Sequence, residues 1–122
     1  MPELKKYKMF INGEWVNSDT KKTFETLNPE NNKPWAVVPE ASASDVDKAV
    51  KAAQNAFEGE WPKLLPKERA RYLRMIGDKL RDNAEHLGKI ETIDTGKLYR
   101  ETYKQANYIA EYYDYYAGLA DK

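Results

Sequence analysis

The stretch ETIDTGKL, Glu91–Leu98, contains the residue types from which a phosphate-binding loop is built. Such a loop needs G-x-x-x-x-G-K-[ST], because successive backbone amides curl around the phosphates while a Lys and a hydroxyl reach them. Counting back from Gly96, the first glycine would have to stand where Glu91 stands, and the hydroxyl where Leu98 stands. The motif fails at both positions, so Gly96 and Lys97 read as the end of a helix, with a cation near its negative pole. No G-x-G-x-x-G occurs either, so a glycine fingerprint for a dinucleotide is not encoded. His86 is the single histidine and has no recognisable partner for acid–base work, which makes it a surface or boundary residue. There is no Cys, which excludes a thiol nucleophile, a thiolate metal site and a disulfide within these residues.

The least ordinary group is aromatic. Tyr99, Tyr103, Tyr108, Tyr112, Tyr113, Tyr115 and Tyr116 crowd the last helical segment, and Tyr108, Tyr112, Tyr115 and Tyr116 are spaced to share a face. Aromatic rings can stack on bases, but such a platform also wants cations around it, and here Glu111 and Asp114 are interleaved. Packing in a core or an interface is the better reading. Lys plus Arg and Asp plus Glu both number 20, a balance that argues against a nucleic-acid partner. The opening MPELKKYKMF is charged and leads into no apolar leader core, and no run approaches a membrane span. A soluble cytoplasmic protein is expected.

Positioning these residues requires two kinds of element. KMFI and EWVN flank Asn12-Gly13, a pair suited to the positive φ values of a tight hairpin. Lys22–Pro29 reads as a strand, PWAVVPEA as another, and Asn31, Asn32 and Pro34 as the turn between them. At Ser44 the period becomes helical: Ser44-Asp45-Val46-Asp47 reads as a cap, followed by the stripe Val46, Ala49, Val50, Ala53, Ala56 and Phe57, stopped by Gly59 and Pro62. Pro66 opens a second helix with the face Leu73, Ile76 and Leu80. Asp82–Glu85 reads as a capping box opening a third helix from about Asn83 to Asp94, ended by Gly96. A fourth runs from about Leu98 to Ala117, before Gly118. The expected fold is α+β and mostly helical: an N-terminal β-hairpin and strand layer, then about four helices.

FINGEWV (Phe10–Val16), TFETLNP (Thr23–Pro29), DVDKAVKAAQNAF (Asp45–Phe57), ETIDTGK (Glu91–Lys97) and YYAGLADK (Tyr115–Lys122) together resemble the opening segment of the NAD(P)-dependent aldehyde dehydrogenases. The departures are small: Leu98 stands where a Pro commonly follows TGK, and Leu119 where a Trp is common. The resemblance implies one unit over residues 1–122, the N-terminal part of a cofactor-binding domain, strand-rich over 1–43 and helical over 44–122. It implies a parent enzyme that oxidises aldehydes to carboxylic acids with NAD or NADP. There a thiolate attacks the aldehyde, a hydride leaves to nicotinamide, and a base activates water for thioester hydrolysis. This chain carries no such thiolate, so the resemblance implies a catalytically incomplete segment that binds no cofactor alone. It also implies a structural alkali-metal site through backbone carbonyl at Thr26 and Leu27 and through Asp94, hard oxygen donors suited to such an ion. The implied partner is the remainder of a dehydrogenase chain. The alternative is a stand-alone interaction module that self-associates through the Tyr-rich helix.

Overall fold

The computed structural model describes residues 3–120 and Lys122. The chain forms two units, Met1–Lys63 and Leu64–Lys122.

In the first unit, strand β1 (Lys5–Lys6) is followed by β2 (Met9–Ile11) and β3 (Glu14–Val16), which pair antiparallel as Met9 with Val16 and Ile11 with Glu14. The turn between them holds Asn12 at φ 53° and Gly13 at φ 82°, the left-handed pair the sequence requires. Strand β4 (Thr23–Asn28) pairs antiparallel with β5 (Lys33–Pro39), and β1 lies parallel on the other side of β5, giving the order β1-β5-β4. A two-residue strand of lysines has no period to read, so β1 was not legible. Asn31 and Asn32 form the β4–β5 turn, their amides donating to the Asn28 carbonyl at 3.3 and 2.7 Å. Pro34 does not. It lies within β5, opposite Leu27 and beside a shift of register between Thr26 and Leu27. A strand tolerates Pro where the missing N–H deprives no neighbour, and β1 pairs with β5 only at Ala36 and Val37.

Helix α1 (Ala43–Glu58) begins two residues earlier than the Ser44 frame allows. Its cap is Ser42, whose Oγ accepts the Asp45 amide at 3.2 Å while the Asp45 carboxylate accepts the Ser42 amide at 2.8 Å. Ser44 instead donates its hydroxyl proton to Asp19 at 2.9 Å. Both frames offer a serine with an acid three residues on. The earlier one prevails because Asp45 also receives donors from the loop after β3. The expected apolar stripe of α1 stays bare: Val46, Val50 and Phe57 are all more than half exposed. A short 3₁₀ turn, Trp61–Lys63, follows.

The second unit contains α2 (Pro66–Asp82), α3 (Ala84–Thr95) and α4 (Tyr99–Leu119). Pro66 takes the first helical position, and the Glu68 carboxylate accepts the Leu65 amide at 2.8 Å. The capping box expected at 82–85 does not form. Asn83 sits at φ −111°, ψ 9°, so its side chain turns back and donates to the Lys79 carbonyl at 2.8 Å, while Glu85 pairs with Lys89. Gly96 ends α3 in the left-handed conformation, φ 74°, its amide donating to the Thr92 carbonyl at 2.9 Å. Gly118 does not end α4; its φ is not positive, and a glycine stops a helix only where the chain turns left-handed.

The interior of this unit is made of small residues. Ala70, Gly77, Ala84, Gly88, Thr102, Ala106, Ala110 and Ala117 are buried. A Cβ at Gly88 would meet the Tyr103 backbone at 3.0 Å, and one at Gly77 the Ala110 carbonyl oxygen at 3.2 Å. Helices α2 and α3 therefore approach α4 along a seam of methyl groups and hydrogens. The expected apolar face is only partly used: Leu73 and Leu80 are half-buried and Ile76 is exposed. At the seam Thr102 is fully buried; its hydroxyl lies 2.9 Å from the Gly88 carbonyl, 3.0 Å from that of Tyr99 and 3.0 Å from the Thr92 hydroxyl. Arg81 on α2 pairs with Asp114 on α4. Among the described residues no helix is long and apolar enough to cross a membrane.

Candidate functional site

Thr26 and Leu27 are adjacent on β4, in the first unit, where the pairing register slips. Leu27 faces Pro34, which has no amide hydrogen to give the ladder. Asp94 belongs to the second unit, exposed in the last turn of α3 just before the Gly96 cap. That turn is well tied. Lys97 Nζ lies 2.7 Å from Glu91 Oε1, and the Thr95 hydroxyl donates to the Glu91 carbonyl at 2.6 Å. Lys97 is thus occupied by a carboxylate at a helix end, as the failed phosphate-loop spacing requires. Among the described residues no group of three or more His, Asp and Glu side chains could hold a metal.

His86 is exposed on α3. The most constrained ionisable group is instead Asp45, only 2 % exposed. Its carboxylate accepts the Ser42 amide, the Ser42 hydroxyl and the Ser18 hydroxyl, each at 2.8 Å, and the Asp19 amide at 3.2 Å. The Ser42 amide, then the two serine hydroxyls, hold the Asp45 carboxyl far below the usual carboxylate range against the opposing effect of burial. Beside it, the Lys48 ammonium lies 2.6 Å from Asp19 and lowers that carboxyl as well. These groups pin the loop after β3 to the start of α1. They hold protons firmly in place, which suits a clamp and not a general acid or base.

The tyrosines are brought together as their spacing requires, but on the surface. Tyr108 and Tyr112 meet edge to face with centroids 5.0 Å apart, and the Tyr112 hydroxyl donates to that of Tyr108 at 3.1 Å, raising the Tyr112 pKa above its ordinary value. Tyr115 and Tyr116 make a second edge-to-face pair at 5.4 Å. With Glu111 these four rings line an open recess of about 390 Å³. A second, apolar groove of about 500 Å³ runs between α2 and α3, lined by Tyr72, Met75, Ile76, Leu80 and Leu87 among others. Packing in this unit's own core is therefore not the role of these rings. Small residues occupy the seam, and the large apolar ones are left outside. The sequence-level signal for that seam was the run of Ala and Gly at helical spacing, which a search for large apolar residues passes over.

Comparison with known proteins agrees with this geometry. The profile of the aldehyde dehydrogenase family matches residues 15–122. An aldehyde dehydrogenase of Aspergillus niger is 44 % identical over 114 residues, covering 93 % of this chain and 23 % of that protein. The (Z)-2-((N-methylformamido)methylene)-5-hydroxybutyrolactone dehydrogenase of Acinetobacter baylyi is 41 % identical over 120 residues, covering 98 % of this chain and 24 % of its own length. Among solved structures, the betaine aldehyde dehydrogenase of Staphylococcus aureus in complex with NAD+ superposes with a TM-score of 0.90 at 40 % identity, over 94 % of this chain and 23 % of that one. An NAD-dependent enzyme of Sinorhizobium meliloti gives 0.92 at 31 %, over 98 % and 24 %. The chain spans about a quarter of the length of the relatives it matches.

Proposed function

The chain belongs to the aldehyde dehydrogenase family, and from that premise we propose that it is the N-terminal scaffold of an NAD(P)-dependent enzyme that oxidises aldehydes to carboxylic acids. Residues 1–122 then form one end of the cofactor-binding domain, and the thiolate, the base and the cofactor-holding loops come from outside them. One observation carries this reading: the fold follows relatives along nearly its whole length while covering a quarter of theirs, and it contains no Cys. The chain's own contribution is positional. The Asp45 clamp sets α1 against the loop after β3, and the seam sets α2 and α3 against α4. The groove of α2 and α3 and the tyrosine ridge of α4 are the faces on which the remainder of a dehydrogenase chain would lie. Carbonyl oxygen at Thr26 and Leu27 and the Asp94 carboxylate would contribute to an alkali-metal site that stiffens the parent. A cytoplasmic setting fits the balanced charge and the absence of thiols.

The purified chain, assayed with NAD+ or NADP+ and a panel of aldehydes, is expected to show no turnover above background; turnover would overturn the scaffold reading. A chimera in which this chain replaces the matching quarter of the S. aureus betaine aldehyde dehydrogenase is expected to oxidise that enzyme's aldehyde.

A second reading has one observation in its favour. Tyr108, Tyr112, Tyr115 and Tyr116 are each about half exposed or more, and such a face fits a module that binds its own copy.

A further inference from the structure

In the first unit, Tyr7, Asn17, Ser18, Lys21, Lys22 and Thr23 line a recess of about 230 Å³. Tyr7 is one of these lining residues, and its hydroxyl is buried without a hydrogen-bond partner among the described residues. A buried hydroxyl normally has a partner, so its absence marks a place where something else is accommodated. The chemistry of the lining says what. No carboxylate contributes to it, and neither Lys21 nor Lys22 enters an ion pair among the described residues. Lys21 adopts φ 57°, and its amide donates to the Ser18 carbonyl at 2.9 Å; this turn sets the two lysines at the rim. A third cation, the Lys5 ammonium, lies 4.8 Å from the centre of the Tyr7 ring. Two acids beside the recess are already committed: Asp45 accepts from Ser18, Asp19 and Ser42, and Asp19 from Ser44 and Lys48. A third, Glu40, whose amide donates to the Lys22 carbonyl at 3.0 Å, is exposed and does not contribute to the lining.

We propose that this recess binds a small oxyanion, phosphate or carboxylate, accepting the Tyr7 hydroxyl proton and neutralised by Lys21 and Lys22. One water would satisfy Tyr7 but not the two ammonium groups, and the space is several times a water's share of about 30 Å³. The inference does not depend on the dehydrogenase reading, since it rests on the first unit's own residues. To test it, the amide spectrum of the 122-residue chain is followed while inorganic phosphate is added, and separately acetate, each against chloride at equal ionic strength. Saturable shifts confined to Asn17, Ser18 and Lys21–Thr23 are expected with at least one anion, and which one saturates identifies the source. Tyr7→Phe removes a single oxygen that bonds nothing else, so the fold is kept, and it should weaken binding about tenfold. The double change Lys21→Ala and Lys22→Ala should abolish saturation. A response no different from chloride with both anions, which is the behaviour of a recess holding water only, would overturn the proposal. So would unchanged affinity in Tyr7→Phe.

Discussion

A carboxylate withdrawn from water needs donors in place of the solvent, and Asp45 draws them from two parts of the chain: Ser42 in its own cap, and Ser18 and Asp19 from 27 and 26 residues earlier. The donors favour the ionised form, so the folded pKa lies below the unfolded one. The resulting stability is fully present above the unfolded value of about 4 and is lost as pH falls through the folded value. Thermal unfolding followed from neutral pH to about pH 2 should show a falling midpoint below about pH 4 in the parent chain. Asp45→Asn should be less stable at neutral pH and show a shallower acid slope; equal slopes in the two proteins would remove Asp45 from the account. At this scale legibility follows the range of the interaction. Asn12-Gly13 and Gly96 were readable because a positive φ is a local demand of one residue. The choice of Ser42 over Ser44 was not, because Ser18 and Asp19 decide it from across the unit.

Element boundaries came through to within a few residues because caps, prolines and glycines act within one turn. Which face of each helix is buried did not, and the reason is residue size. Periodicity weights Leu, Ile and Val, whereas α2, α3 and α4 meet at Gly77, Gly88, Ala106 and Ala110. Two glycine substitutions separate these effects. Gly88→Ala gains about 1 kcal/mol of helix propensity but drives a methyl group to 3.0 Å from the Tyr103 backbone, which cannot step aside as a side chain could. Overpacking of this kind costs about 1–3 kcal/mol, so a net loss of roughly 1 kcal/mol is expected. Gly118→Ala meets nothing within 4 Å and should stabilise by a fraction of 1 kcal/mol, up to about 1. Urea midpoints with unchanged slopes would measure both; a Gly88→Ala midpoint above the parent's would mean that α3 and α4 do not meet as described.

For the whole molecule, the candidate cation residues show where reading a sequence reaches its limit. Thr26 and Leu27 coincide with a real irregularity of β4, yet a carbonyl ligand leaves no trace in residue type, and Asp94 lies in the other unit. The tyrosine ridge was legible as a shared face, and its exposure was not, since the same spacing serves a core or a surface. That exposure has a physical consequence. Phe10, Trp15, Phe57 and the rings of α4 stand in water over much of their area, and apolar surface of this extent favours association. Sedimentation over a wide concentration range should show reversible self-association. Replacing Tyr112 and Tyr115 with Ser should reduce it without unfolding the bundle, because neither ring contributes to the seam. A sharp monomer at every concentration would mean that the polar rims of these patches suffice.

Placed in deuterated buffer, the two units should lose their amide protons on different clocks. The middle of α4 has buried residues spaced along one side from Thr102 to Ala117, so its N–H groups open to solvent only when the whole trio of helices parts. Helix α1 has a single buried side chain among the described residues, at its first turn, and beyond the Lys48–Asp19 pair little resists fraying toward Glu58. Isotope uptake should therefore sweep α1 from its far end back toward Asp45 long before it reaches Ala106, and the clamp at Ser42 would show as the one slow point in a fast helix.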